Sequence, residues 1–268
     1  MAKLWSSLAR ISAILSATTL LKAEVKGLEI SLISENSAIS AGVPFTVGLH
    51  LKHKPSYHTY WENPGIVGMA TSLKWKLPEG FTAAEIQWPF PERSDMAGHP
   101  CHGYERDVTL MVTITPPQKI SPQPVTLSAS AQWMCCAKKC HPGFQDFTLT
   151  LPVADQAQLN PKTNPLFIKA RSELPLHAKD FPVTLLSKAS ATEIELITPS
   201  TKAKKIYFFS EDGQVSSDQL QKITAYKEGK RKLTLTRSEF SPEDQPALPG
   251  VLQLGSKFYR INPKYLEK

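Results

Sequence analysis

Hydrophobic and polar residues alternate with a period of two along much of the chain, which is the pattern of half-buried β-strands. The alternation is most regular over residues 125–133 and 147–153, on either side of a short connection. Shorter runs of the same kind, separated by proline and glycine turns, lie at residues 28–32, 45–51, 73–77 and 108–114. Strands of this length in succession predict an antiparallel β-sandwich.

The alternation breaks off and then returns in the last third of the chain. Residues 155–180 predict a linker with a short helix, because prolines flank a partial apolar face there. Further strand and hairpin signals follow at residues 194–196, 206–209, 223–235 and 251–261. We therefore expect an all-β chain with a sandwich over residues 24–154 and a second, smaller β-rich domain over residues 181–268. The second domain is expected to have a structural or partner-docking role.

The first 23 residues have the layout of a secretory signal peptide. Lys3 and Arg10 give a positive start, residues 11–21 are mostly apolar, and Ala23 is a small residue suited to cleavage. The apolar run is short for a membrane span, which needs about 20 residues. We therefore expect residues 1–23 to be a signal peptide, and the mature protein to be exported and soluble, without stable membrane insertion.

Charge adds little to this picture. The formal net charge is +7, and removal of Lys3, Arg10 and Lys22 with the signal segment leaves 7 − 3 = +4. The remaining lysines are scattered along the chain rather than clustered in a basic patch. We interpret them as a solvated surface and expect no nucleic-acid binding.

Three of the four cysteines, Cys135, Cys136 and Cys140, lie in the connection between the two most regular strands. Four residues of extended chain span about 13 Å, whereas a disulfide needs Cα atoms about 4.4–6.8 Å apart. The chain must therefore turn back between Cys136 and Cys140 if they pair. Lys138 and Lys139 place positive charge in that turn, which favours a reactive thiolate. On spacing alone, a static structural disulfide is the commoner outcome in an exported protein.

Trp133, Cys136, Cys140 and Pro142 form the pattern Trp-x-x-Cys-x-x-x-Cys-x-Pro between two strands. This pattern resembles the N-terminal periplasmic domain of the thiol:disulfide interchange protein DsbD, in particular its ScsB-like or "disulfide bond corrector" relatives. The resemblance covers about residues 25–155. Its other motifs are at residues 57–65, 73–80, 87–89 and 103–105.

The resemblance implies an immunoglobulin-like sandwich and a redox-active pair, Cys136 and Cys140. One cysteine of the pair would form a mixed disulfide with a donor or client, and the other would resolve it; which one attacks first stays open. The implied activity is that of a protein-disulfide reductase or thiol-disulfide interchange component that needs no cofactor. Full-length DsbD adds a membrane electron conduit and a thioredoxin-like module, so the implied partners are a DsbD-like membrane electron-transfer protein and thioredoxin-like proteins of the periplasm.

Residues 89–103 are polar, broken by proline and glycine, and without a period, which predicts a loop. In the DsbD family the corresponding loop is a cap that shields the disulfide with aromatic side chains. In this sequence, the cap positions hold Met96, His99, Cys101 and His102.

Other candidates surround the cysteine pair. The resemblance places Tyr57 and Tyr60 beside the disulfide, and His141 follows Cys140 directly. For the two remaining cysteines, a second bridge between Cys101 and Cys135 would pin the cap loop to the centre. The alternative is that Cys135 points away as a small buried residue.

Two other functions compete with thiol-disulfide exchange. A Cu(I) or Zn(II) site is one, because thiolate and imidazole are ligands that these metals prefer. Its ligands would be Cys101, Cys135, Cys136, Cys140 and His141, although the cysteines lack paired Cys-x-x-Cys spacing. The other is a non-catalytic binding module with a structural disulfide.

Overall fold

β-Strands dominate the computed structural model, which describes residues 22–177, 181–243 and 245–267. The predicted all-β fold, an immunoglobulin-like sandwich followed by a smaller β-rich region, is confirmed. Residues 1–21 of the predicted signal peptide lie outside the described residues. No helix among those described is long and apolar enough to cross a membrane.

The described part of the first sandwich has thirteen strands, which run in several antiparallel sheets. These are β1 (Lys22–Val25), β2 (Leu28–Ser34), β3 (Asn36–Ala38), β4 (Phe45–His53), β5 (Thr59–Gly65), β6 (Ser72–Lys76), β7 (Thr82–Ala83), β8 (Glu92–Met96), β9 (His99–Tyr104), β10 (Val108–Thr115), β11 (Val125–Cys136), β12 (Cys140–Leu151) and β13 (Gln158–Leu159). The sheet orders are β1-β2-β4-β10-β7, β12-β11-β6, β5-β9-β8 and β13-β3.

The core of the first sandwich follows the period of two. Along β11, Leu127, Ala129, Ala131 and Trp133 are all buried, while the residues between them are partly or fully exposed. Successive side chains of a strand point to opposite faces, so one face of β11 supplies the core and the other meets solvent. Trp61 of β5 is fully buried in the same core.

The cap region differs from its prediction. Residues 89–103 are not an irregular loop, because β8 and β9 form an antiparallel hairpin that pairs with β5. The hairpin turns at Ala97 and Gly98, which both have positive φ. The sequence did not predict these strands because several of their buried positions, such as Ser94 and His102, are polar. Hydrophobic and polar residues therefore do not alternate there.

A helix follows the first sandwich and packs on it. α1 spans Asn164–Ser172, with a proline in its first turn, inside the segment predicted as a linker. Phe167 and Ala170 of α1 are buried against Ile33 and Met111 of the five-stranded sheet.

The second sandwich contains two four-stranded sheets, with orders β14-β21-β20-β17 and β15-β16-β19-β18. Its strands are β14 (Leu176–His177), β15 (Thr184–Leu185), β16 (Glu193–Ile197), β17 (Ile206–Ser210), β18 (Lys222–Ala225), β19 (Arg231–Thr236), β20 (Gly250–Leu254) and β21 (Lys257–Ile261). The two predicted hairpins are β18–β19 and β20–β21. Positive φ occurs in both turns, at Gly229 and Gly255, and glycine is favoured there because it adopts this conformation without steric cost. Glu228 also has positive φ.

The two sandwiches share a continuous apolar contact. Tyr207, Phe209 and Val251 of the second sandwich belong to the same buried cluster as Trp61 of the first. The Asn63 side chain also donates a 2.7 Å hydrogen bond to the Ser210 carbonyl. The second sandwich therefore packs on the sheet that contains the cap hairpin.

A charged cluster lies where the sandwiches meet. The Arg260 guanidinium is 3.1 Å from a Glu62 carboxylate oxygen and 2.7 Å from a Glu211 carboxylate oxygen. Burial, and then repulsion from Glu211, raises the pKa of Glu62 to about 7, and Arg260 offsets only part of the rise. Burial raises the pKa of Glu211 as well.

This cluster predicts a pH dependence of stability. A carboxyl whose folded-state pKa is raised keeps its proton in the folded protein after the unfolded chain has lost it. Glu62 therefore costs stability as the pH rises from its usual pKa near 4.5 to about 7. Over that interval, we expect the unfolding free energy of the unmodified protein to fall by about 1–3 kcal/mol because of Glu62. Glu62→Gln is expected to abolish this fall. Urea unfolding of both proteins at pH 4.5 and 7.5 measures it; a difference that does not change with pH would contradict the assignment.

Candidate functional site

Cys136 and Cys140 form a disulfide across the end of the β11–β12 hairpin. They are opposite each other in the strand register, with Cα atoms 4.1 Å apart. The three residues between them, Ala137 to Lys139, make the turn that the spacing predicted, and both lysines are exposed. The disulfide is therefore presented at the tip of a hairpin whose long strands are anchored in the sandwich.

The two sulfurs differ in exposure. Cys136 is fully buried, and its backbone exchanges two 2.9 Å hydrogen bonds with the backbone of His58. Cys140 is only partly buried. Access decides which sulfur of a disulfide is attacked, so the geometry favours Cys140 as the sulfur that a partner reaches first.

The cap hairpin and β5 cover the disulfide. The Met96 sulfur is 3.6 Å from the Cys140 sulfur, and the Tyr60 hydroxyl is 3.9 Å from it. Tyr60, Cys101 and Cys136 form a small buried cluster, against which Met96 and Cys140 pack. A thioether from the cap and a phenol from β5 therefore lie at the place that the resemblance assigned to aromatic shielding.

The His58 and Tyr60 rings pack together beside the disulfide, and neither carries a charge. Their rings meet edge to face with centroids 5.1 Å apart. Burial raises the pKa of Tyr60 and lowers the pKa of His58, so both are neutral at pH 7. The sequence did not identify His58 as a site residue, because a histidine in a strand also fits a surface position. Its one signal was its place between Tyr57 and Tyr60 in the quoted motif.

Of the two alternatives for Cys101 and Cys135, the bridge does not form, since both are free thiols, and Cys135 is the small buried residue of the other alternative. Cys135 is adjacent to Cys136 in β11 and therefore points to the opposite face, into the main core beside Trp133. Cys101 lies in the disulfide cluster, with its sulfur 4.0 Å from the His58 imidazole. Burial raises the pKa of Cys101 to about 12 and that of Cys135 to about 11, so both remain protonated thiols.

The remaining predicted residues lie farther from the disulfide cluster. His102 points to the second sandwich, where its ring nitrogen is 3.1 Å from the Tyr207 hydroxyl. His99 is exposed at the hairpin turn. The Tyr57 and His141 rings are 6.4 Å apart, and Tyr57 packs against the main core. Of the two tyrosines, Tyr60 is the one that contacts the disulfide.

Of the suggested metal ligands, Cys101, Cys136 and Cys140 meet in the disulfide cluster, whereas Cys135 lies in the main core. Within the part of the chain that the structure describes, no group of three or more His, Cys, Asp or Glu side chains could hold a metal ion. Cys136 and Cys140 are bonded to each other, and Cys135 points away from them into the core.

Comparison with known families finds a match for most of the first sandwich. Residues 30–152 match the family described as "Thiol:disulfide interchange protein DsbD, N-terminal". The match confirms the resemblance predicted from the cysteine pattern and its companion motifs. No curated protein sequence matches the chain.

Comparison with solved structures extends the likeness in fold to nearly the whole chain. The N-terminal periplasmic domain of ScsB from Proteus mirabilis aligns with a TM-score of 0.69 at 15% identity, covering 92% of this chain and 98% of that chain. The yeast GGA1 GAE domain aligns with a TM-score of 0.30 at 14% identity over 51% of this chain and 99% of that one, too weakly to indicate a shared fold.

Proposed function

We propose that the first sandwich, whose residues 30–152 match the DsbD N-terminal family, is a thiol-disulfide interchange domain, and that the protein passes reducing equivalents in the periplasm. Electrons would come from a DsbD-like membrane electron-transfer protein and go to oxidised, thioredoxin-like periplasmic proteins. The observation that carries the proposal is the Cys136–Cys140 disulfide at a hairpin tip, with Cys140 partly exposed under a cap. A purely structural bridge would not need an accessible sulfur.

Reduction of the protein by a donor takes two thiol-disulfide exchange steps, and reduction of a client by the protein takes two more. A donor thiolate attacks the Cys140 sulfur, forms a mixed disulfide and releases Cys136 as a thiolate, which takes up a proton. A second donor thiol then attacks the donor sulfur of that mixed disulfide and frees Cys140. The donor ends oxidised, and the protein holds two thiols and two additional electrons.

Delivery to the client reverses these roles. The Cys140 thiolate attacks the client disulfide, and one client sulfur leaves as a thiolate that is then protonated. Cys136 loses its proton and attacks the Cys140 sulfur, which closes the Cys136–Cys140 bond and releases the reduced client. Cys136 is suited to this resolving role because it is buried and fixed to the His58 backbone, directly opposite Cys140.

Surrounding groups support the attacking sulfur. The Tyr60 hydroxyl, 3.9 Å from the Cys140 sulfur, is placed to donate a hydrogen bond when that sulfur is a thiolate. Lys138 and Lys139 in the turn add positive charge, which lowers a thiol pKa. Met96 keeps the disulfide covered until a partner displaces the cap.

Capture of partners tests this proposal. We expect Cys136→Ser, which leaves the Cys140 thiol without its resolving partner, to accumulate mixed disulfides with thioredoxin-like proteins when expressed in the periplasm. Cys140→Ser leaves only the buried Cys136 and is the matched control, expected to capture much less. Non-reducing gels and peptide mass spectrometry identify the adducts. Equal capture by both variants would contradict the assigned order of attack, and capture by neither would contradict exchange.

A further inference from the structure

The three-stranded sheet β5-β9-β8 has a different neighbour on each face. On one face, Tyr60 and Cys101 pack in the disulfide cluster. On the other, the adjacent residues Trp61 and His102 meet Phe209 of the second sandwich, with ring centroids 6.2 and 4.9 Å from it. Because alternate strand residues face opposite sides, the cap hairpin lies between the disulfide and the second sandwich.

Specific contacts join the cap region to the second sandwich. The Tyr207 hydroxyl is hydrogen-bonded to His102 at 3.1 Å, and the Arg93 guanidinium lies 4.8 Å from the Tyr207 ring centroid. Phe258 of β21 stacks on Phe90, just before β8, with centroids 4.0 Å apart and planes 6° from parallel.

The Ser217 side chain contacts β9 directly. The Ser217 hydroxyl donates a 3.1 Å hydrogen bond to the Pro100 carbonyl and accepts one of 3.0 Å from the Ile66 backbone N–H. Pro100 precedes Cys101 in β9, and Ile66 directly follows β5. One side chain of the second sandwich therefore ties together the two strands that stand nearest the disulfide cluster.

We propose that the second sandwich is the clamp that positions the cap hairpin over Cys140, with Tyr207, Phe258 and Ser217 as positioning residues for the exchange reaction. The biological meaning of this inference rests on the proposed function, but the accessibility of Cys140 that it concerns can be measured without any client.

The hairpin needs such support. Among the described residues, β8 pairs with β9 alone and is the edge strand of the sheet β5-β9-β8, so fewer backbone hydrogen bonds hold it than hold β9. On the disulfide side, the contact of β8 with the reactive pair is made by Met96, a flexible thioether. On the side of the second sandwich, the cap region is held by ring and hydrogen-bonding contacts of Arg93, His102 and Pro100, and loosening these contacts is expected to free the cap without breaking the first sandwich. Arg106 of the first sandwich also holds this region, through a 2.8 Å hydrogen bond to the Phe90 carbonyl.

The rate at which dithiothreitol reduces the Cys136–Cys140 disulfide in the full chain tests the proposal. Reduction requires attack on Cys140, so the rate reports how often the cap is open. We expect Phe258→Ala to raise the rate about threefold to tenfold, since it removes one stacked aromatic pair. Tyr207→Phe, which removes only the hydroxyl that bonds to His102, is expected to raise it by a smaller factor. Phe258→Tyr, which preserves the stack, is expected to restore the original rate.

The second sandwich offers a matched control. Phe181 stacks on Tyr259 with centroids 4.1 Å apart, so Phe181→Ala removes a similar aromatic pair that does not touch the cap. We expect it to lower the melting temperature but to leave the reduction rate unchanged. The proposal is overturned if Phe181→Ala raises the rate as much as Phe258→Ala does, or if Phe258→Ala leaves the rate unchanged. Failure of client capture with this order of rates intact would instead count against the proposed function alone.

Discussion

Cys136→Ser and Cys140→Ser are each expected to lower protein-disulfide reductase activity by about a thousandfold or more, because exchange needs both sulfurs of the pair. Without Cys140, the remaining thiol is fully buried and cannot reach a partner. Without Cys136, Cys140 can attack, but the mixed disulfide has lost the thiol that lies opposite Cys140 to resolve it. The measurement is the rate at which each variant, reduced beforehand and freed of reductant, converts an oxidised thioredoxin-like protein to its dithiol form.

Cys135→Ala is the control for this loss. Cys135 is adjacent to Cys136 and equally buried, but its side chain lies in the main core and its thiol is free. We expect the variant to retain activity within a factor of about two and to lose some stability from the small cavity. Comparable loss in Cys135→Ala and Cys136→Ser would mean that damage to the hairpin, rather than removal of the reactive sulfur, explains the effect.

Trp61→Ala is expected to cost about 3–5 kcal/mol of unfolding free energy, the range for removing a large aromatic side chain from a core. Trp61 is fully buried and belongs to the cluster that joins the two sandwiches. Its ring lies 6.4 Å from His102 and 6.2 Å from Phe209, so the cavity would open at the base of the cap sheet. Urea unfolding of the oxidised protein, followed by tryptophan fluorescence and circular dichroism, gives the value.

Trp75→Ala provides the comparison for this prediction. Trp75 lies in β6 and is only partly buried, packing at the margin of the same core. We expect Trp75→Ala to lower the unfolding free energy by less than half as much as Trp61→Ala, because Trp75 buries less apolar surface on folding. If the two variants lose equal stability, the burial of Trp61 between the sandwiches is not the source of its effect.

Much of the site was readable from local sequence. The turn between Cys136 and Cys140 followed from the limits of disulfide geometry, and the anchoring strands followed from the alternation on either side. The same alternation could have excluded the bridge between Cys101 and Cys135. Cys135 has the same parity as Trp133 and Ala131 along β11, which places it on the core face, whereas Cys136 lies on the other.

Other features could not be read because their cause is long-range. The β8–β9 hairpin contains buried polar side chains, among them Ser94 and His102. Their burial depends on hydrogen-bond partners outside the hairpin. His102 contacts Tyr207, 105 residues later, and no local pattern signals such a pair. Local periodicity therefore identified the strands and the reactive turn, while the position and support of the cap required the three-dimensional structure.

The most direct test of the central claim is the reduction potential of the Cys136–Cys140 disulfide. Full-length protein is equilibrated across a series of dithiothreitol redox ratios, alkylated, and analysed by peptide mass spectrometry, so that each cysteine reports its own state. We predict that Cys136 and Cys140 open together at about −120 to −270 mV, the range of exchange proteins, while Cys101 and Cys135 stay free throughout. A disulfide that stays closed below about −300 mV would be structural and would contradict the account.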